Sequence, residues 1–268
     1  MPVTQLQAPR TLEEAGLNLE LVTQLALKIL HYGGELSGAE LAKRLGVLFS
    51  VVEPSLAFLK NQRHIEVVGG SIVGGSSYRY RITTEGRSAA SVFLRDSQYV
   101  GAAPVPLTQY RAYMATIRGS NQRTVTRSEV RRAFAHLVLS DTVLDEIGPA
   151  INGGHSIFIY GAPGNGKTSI AQTIRDLLGG DIAIPHAIEV EGSIIRVLDP
   201  INHEVRPQAA EDDGLALDNA MDHRWVICRR PVVLAGGEMS LESLELNFDR
   251  RFGYYRAPLQ LVANGGVL

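Results

Sequence analysis

Cysteine is almost absent: Cys228 stands alone among 268 residues. That excludes an internal disulfide and a cysteine-based zinc site, and it reads Cys228 as a small buried apolar residue. Long apolar runs are missing too. Although 45% of the residues are hydrophobic, no stretch approaches the roughly 18 residues that a membrane helix needs. The first residues, "MPVTQLQAPR", lack the charged-then-apolar pattern of a signal peptide, so a cytoplasmic location without a membrane span is expected. Zinc-ligand spacing is also lacking. His186, His203 and His223 are scattered, and Pro200 is expected to keep Asp199 and His203 off a shared helical turn.

Net charge is small, at −2, but it is unevenly spread. Residues 1–100 carry 10 basic and 9 acidic side chains, residues 101–135 carry 6 and 1, and residues 136–268 carry 10 and 18. A near-neutral front, a basic connector and an acidic back half suggest distinct functional parts. The expected division is a small domain over 1–100, a basic linker over 101–140 and a second domain over 141–268.

In the front part, Asn18 is placed to cap a helix with Val22, Leu25, Ala26, Ile29 and Leu30 on one face. "SGAE" (Ser37–Glu40) and "SVVE" (Ser50–Glu53) both fit capping boxes, the second with Pro54 in the first turn. That second helix should turn Val52, Leu56 and Leu59 inward. "HIEVV" and "SYRYRIT" then read as strands around the glycine-rich "GGSIVGGSS", with Tyr78, Tyr80 and Ile82 alternating with Arg79 and Arg81 in the second, and a last helix is expected from about Glu85 to Tyr99. Three helices followed by a hairpin is the order of a small α+β winged-helix domain. On a DNA-binding reading, Lys60 and Arg63 approach the major groove while Arg79 and Arg81 lie near phosphates. Glu53 would repel phosphate there, and a role in protein–protein contact remains open. The arginines at 111, 118, 123, 127, 131 and 132 suit nucleic acid, a neighbouring subunit or a solvated helix face.

"GAPGNGKT" (Gly161–Thr168) fits G-x-x-x-x-G-K-[ST], preceded by the short apolar run "HSIFIY" and followed by Ile170, Ile174, Leu177 and Leu178 at helical spacing. Gly161, Gly164 and Gly166 allow the backbone to approach phosphates closely. Ala162, Pro163 and Asn165 belong to the same loop, and the start of helix 166–178 points N–H groups at an anion. Lys167 supplies a positive charge for the β- and γ-phosphates, Thr168 a hydroxyl for Mg²⁺, and Ser169 a further phosphate contact. The residues from Gly161 to Ser169, Pro163 included, are the expected ATP site, with Lys167 and Thr168 in the catalytic roles.

Hydrolysis needs acids as well. Asp199 after "SIIRVL" and Glu238 after "RPVVLAGG" each follow an apolar strand, but neither gives the apolar-run-then-two-acids pattern. "EDD" (Glu211–Asp213) reads as a solvated loop. Arg229, Arg230, Arg250, Arg251 and Arg256 are arginine-finger candidates, with surface ion pairing as the alternative for each.

Across "SVVEPSLAFLK", "SYRYRITTEGR", "QYVGAAPVPL", "GPAINGGHSIFIYGAPGNGKTSIA", "GSIIRVLDP" and "RAPLQLVANGGVL", the chain resembles a bacterial AAA+-type P-loop ATPase with a winged-helix-like N-terminal region. "ANGGVL" (Ala263–Leu268) is similar to the lead-in to the metal-site strand of enhancer-dependent transcription activators and magnesium-chelatase-like AAA+ proteins. The resemblance implies an α/β fold with a parallel sheet, incomplete at its C-terminus because the sequence stops before the metal-site acids. It also implies ATP and Mg²⁺ as cofactors, a homo-oligomeric ring in the full-length protein and an unidentified macromolecular partner. The alternative is a DNA-binding transcriptional regulator switched by ATP or ADP.

Overall fold

The computed structural model describes residues 6–69, 75–120, 124–153, 159, 161, 162, 164–207, 221–235 and 239–268. After α1 (Leu12–Ala15), α2 spans Leu19–Gly33. Asn18 caps it, its Oδ1 accepting from the Leu21 amide at 2.7 Å. All five expected apolar residues are buried, and so are Leu27 and Lys28, because α2 is covered on both flanks by later helices.

Next come β1 (Glu35–Ser37), α3 (Gly38–Leu45) and α4 (Phe49–Asn61). The Ser37–Glu40 box forms in both directions, at 3.1 and 2.7 Å. The Ser50–Glu53 box does not. α4 begins earlier, with Leu48 as its cap, and the Ser50 hydroxyl instead donates to the Arg10 carbonyl at 2.7 Å. Pro54 therefore sits inside the helix rather than in its first turn. Val52, Leu56 and Leu59 do face the core. β2 (Ile65–Gly69) and β3 (Arg79–Ile82) follow, then α5 (Thr84–Asp96). The strands form an antiparallel sheet in the order β1-β3-β2, with Tyr80 and Ile82 buried and Arg79 and Arg81 outward. Most of the glycine-rich hairpin tip lies outside the described residues.

Residues 101–140, read from sequence as a linker, supply β4 (Val105–Pro106), α6 (Leu107–Ser120) and α7 (Arg127–Ala133). Tyr110, Tyr113, Met114 and Ile117 recur at helical spacing and are buried. The later elements are α8 (Asp141–Asn152), α9 (Lys167–Leu178), β5 (Asp181–Pro185), β6 (Ala187–Val190), β7 (Ser193–Arg196), β8 (Trp225–Arg229), β9 (Asn247–Asp249), β10 (Tyr254–Arg256) and α10 (Leu259–Val262).

The fold is mixed α/β, but the described sheets are not purely parallel. One has the order β4-β6-β7-β10-β9, with β4·β6 and β7·β10 parallel and the other pairs antiparallel, while β5 and β8 form a separate antiparallel pair. The cause is local. Glu191 and Gly192 both have positive φ, +50° and +80°, which is the backbone a tight two-residue hairpin requires. Gly253, at φ +66°, likewise closes the β9–β10 turn. Parallel pairing also joins Val232 to Val267. "HSIFIY", expected as the strand before the loop, lies outside the described residues apart from Ile159.

One core joins the N-terminal helices to Ala187, Ile194 and Tyr254 of the mixed sheet. A second packs α6 against β5, β6, β7 and β8, and a third holds α7, α8 and α9 together. Among the described residues no helix is long and apolar enough to cross a membrane.

Candidate phosphate-binding site

α9 is fixed by its inner face. Ile170 and Ile174 are buried against Val130, Phe134 and Ile147, each contributing on the order of 1.5–3 kcal/mol. The Thr173 hydroxyl bonds back to the Ser169 carbonyl at 2.8 Å. Gly179 ends the helix at φ +58°. The anchored face leaves the other end of α9 to be shaped by the glycine loop.

Gly161, Gly164 and Gly166 all have positive φ, at +152°, +87° and +70°. Gly166 is the helix cap in the left-handed conformation, and having no side chain it makes no cap bond to the first-turn amides. No acidic residue stands in that turn. The first-turn N–H groups, which have no intrahelical partner, and the positive end of the helix therefore lie together at the glycine loop. The Lys167 ammonium folds over the loop and donates to the carbonyls of Gly161 at 2.9 Å and Ala162 at 2.8 Å. Thr168 is exposed, as are Gly164 and Asn165, and Ser169 is half-buried. Pro163 lies outside the described residues. This donor set fits a phosphate group: amides without a cap from Gly166, one mobile cation, a hydroxyl beside it and no carboxylate in the first turn of α9.

The other candidates are largely occupied. The Asp199 carboxylate accepts from the Ile201 amide at 3.0 Å and the Asn202 side chain at 2.6 Å, as in a turn. Contrary to the expectation for Pro200, Asp199 and His203 do share a turn: the His203 amide donates to the Asp199 carbonyl at 2.8 Å. Proline is tolerated there because the first residue of a turn needs no N–H. His203 is buried, and both ring nitrogens are engaged. Nδ1 accepts from the Asp199 amide at 2.9 Å and Nε2 donates to the Val262 carbonyl at 2.8 Å. Burial lowers its pKa. No ring lone pair remains for a metal, and among the described residues no group of three His, Cys, Asp or Glu side chains forms a metal cluster. Glu238 and Glu211–Asp213 lie outside the described residues.

Of the arginine candidates, Arg229 pairs with Asp176 and Glu204, while Arg251 and Arg256 pair with Asp249. Arg250 is exposed. Arg230 is different. It is 5% exposed, and it donates to the Gly179 and Gly265 carbonyls at 2.6 Å each. In the N-terminal part, Arg79 and Arg81 both bond to Glu35, at 2.6 and 3.0 Å, and lower its pKa. Lys60 and Arg63 are exposed at the end of α4, and Arg63 adopts φ +59°.

Among the described residues, three cations are buried where the sequence did not indicate it: Lys28, Arg224 (paired with the equally buried Asp222) and Arg230, which was expected only as an arginine finger or a surface ion pair. A lysine inside the apolar run of α2 was the available signal for the first. The arginines flanking the apolar strand "WVICR" were the signal for the other two.

Residues 141–204, from α8 through the glycine loop and α9 to the Asp199 turn, match the family model for magnesium chelatase, subunit ChlI, a family of the AAA+ clade. The match covers less than half of the chain. At this coarse level it supports nucleotide binding of the AAA+ ATPase type. No curated protein matches the chain.

Proposed function

We propose that residues Gly161–Ser169 bind ATP or ADP with Mg²⁺, and that the chain acts as the nucleotide module of an AAA+-type ATPase. The observation that carries this reading is the uncapped, glycine-opened start of α9 with the Lys167 ammonium folded across it. When nucleotide enters, Lys167 exchanges its two carbonyl partners for phosphate oxygens. The Gly164 and Gly166 backbone conformations keep the loop open for the phosphates, and Thr168 offers its hydroxyl to Mg²⁺. Bound there, Mg²⁺ would supply charge neutralisation to the phosphates.

The N-terminal helices and three-stranded sheet have the element order of a winged helix, and we assign this part to partner choice. A protein partner suits it better than DNA, because Glu35 already engages Arg79 and Arg81. Assembly into a ring belongs to the same reading. Calorimetric titration with Mg-ATP tests the nucleotide site. Micromolar-range binding that is lost in Lys167→Ala supports it, and absence of binding heat in the unaltered chain refutes it. Salt-dependent duplex binding, if found, would move the N-terminal assignment to DNA.

A further inference from the structure

Strand β8 has a buried arginine at each end. Arg230, just past its C-terminal end, clips the Gly179 carbonyl at the end of α9 to the Gly265 carbonyl of the segment after α10. Its neighbour Arg229 holds Asp176 of α9 at 2.8 Å. Arg224, just before the strand, is 1% exposed. It donates to the Ala15 carbonyl at 2.8 Å, to the Pro104 carbonyl at 3.5 Å and to Gln109 at 3.2 Å, and it is clamped by Asp222. One five-residue strand, about 17 Å long at ~3.3 Å per residue, therefore ties the far end of the phosphate helix to the N-terminal module.

The N-terminal side of that connection is tight. The Ala103 amide donates to the Leu45 carbonyl at 2.8 Å, and the Gln98 amide to the Phe252 carbonyl at 2.7 Å. A side chain at Gly46 would meet the His223 backbone at 2.8 Å, and one at Gly253 would meet the Asp96 carbonyl at 2.2 Å. Cores packed this closely move as units rather than deforming continuously.

We propose that β8 carries nucleotide binding from α9 to the N-terminal module, with Arg230 as the positioning residue at the helix end. This rests on the ATP-site reading above. Phosphate capture pulls the Lys167 ammonium from Gly161 and Ala162, which releases the loop from the first turn of α9. The helix is about 18 Å of hydrogen-bonded rod at ~1.5 Å per residue, so a shift at Lys167 reaches Gly179. There the two charge-assisted bonds of Arg230, among the stronger hydrogen bonds in proteins, pass it into β8 and on to Arg224.

The molecule contains its own reporter. Trp225 is the only tryptophan of the sequence. It lies in β8 beside Arg224, 2% exposed, with its ring 4.9 Å from that of Tyr113 and 6.2 Å from that of Tyr110. Mg-ATP is titrated into the full chain while tryptophan emission and binding heat are recorded in parallel. The expected result is a saturable emission change with the same midpoint as the heat. Arg230→Met should retain binding heat and lose the emission change, and Arg230→Lys should restore part of it. Binding heat with silent Trp225, or an undiminished emission change in Arg230→Met, overturns the proposal. Absence of binding heat in the unaltered chain overturns the ATP-site reading and this proposal with it. Hydrogen exchange of the unaltered chain needs no variant to fold. With Mg-ATP bound, the Leu17 and Ala103 amides should exchange more slowly by about fivefold or more, at the low end of typical site coupling. Unchanged exchange alongside binding heat overturns the proposal.

Discussion

Arg224 and Asp222 form a buried ion pair, with their side chains 1% and 4% exposed and Nη2 2.8 Å from Oδ2. The other guanidinium protons go to backbone and amide oxygens from α1, the segment before β4, and α6. The pair is thus a junction between the N-terminal helices and the second core. Arg224→Met leaves the Asp222 charge buried without its partner, which costs roughly 3–5 kcal/mol. Denaturant unfolding should show that loss, and the double variant Asp222→Leu, Arg224→Met should recover part of it.

Lys28 gives the chain a pH signature on the alkaline side. Its ammonium is buried in α2, donates to the Ser97 carbonyl at 2.7 Å, and has its pKa lowered by burial to about 8 from 10.5. Between those values the unfolded chain binds more protons, so this residue makes stability rise as pH increases from about 8 to 10.5. Cys228 works against it: burial raises its pKa from 9.0 to about 11, so its contribution falls over that range. Comparing the unaltered chain with Lys28→Met by denaturant unfolding at pH 7.5 and pH 10 separates them. The unaltered chain should gain more, or lose less, than the variant.

His203 sets the acid side. Burial lowers its pKa from 6.5, and protonating Nδ1 breaks the bond from the Asp199 amide. Its contribution is complete above about pH 6.5 and is lost as pH falls through the lowered folded value. His203→Gln should therefore show a shallower loss of stability than the unaltered chain between pH 7 and pH 5.

Two glycines with positive φ should respond unequally to alanine. At Gly253 a Cβ lies 2.2 Å from the Asp96 carbonyl oxygen, so backbone must move. At Gly192 the Cβ meets nothing within 4 Å. Gly192→Ala should cost about 1 kcal/mol from backbone conformation alone. Gly253→Ala should cost more than that, about 3 kcal/mol or beyond, with the excess measurable in thermal or denaturant unfolding.

What the sequence made legible were features set by neighbouring residues. The Asn18 cap, the Ser37–Glu40 box, the burial of Val52, Leu56 and Leu59, the β3 alternation and the span of α9 all follow from local spacing. The Ser50 box failed because α4 already starts at Phe49, which places Ser50 inside the helix, where its hydroxyl donates to the distant Arg10 carbonyl. The mixed sheet was hidden by the expectation of parallel strands, although "EVEGSI" carries a hairpin turn at Glu191–Gly192. The partners of the buried arginines were illegible for a different reason: the carbonyls that receive Arg224 and Arg230 come from residues as distant in sequence as Ala15 and Gly265. The glycine loop itself was readable because its geometry depends on a short, contiguous motif.

The central claim is that the Lys167 ammonium and the open start of α9 hold the phosphates of a nucleotide. Isothermal titration of the full chain with Mg-ATP, beside Lys167→Ala, tests it most directly. The account predicts saturable micromolar-range binding in the unaltered chain and its loss in a Lys167→Ala variant that still unfolds cooperatively. Equal binding by both, or no binding by either, would contradict it.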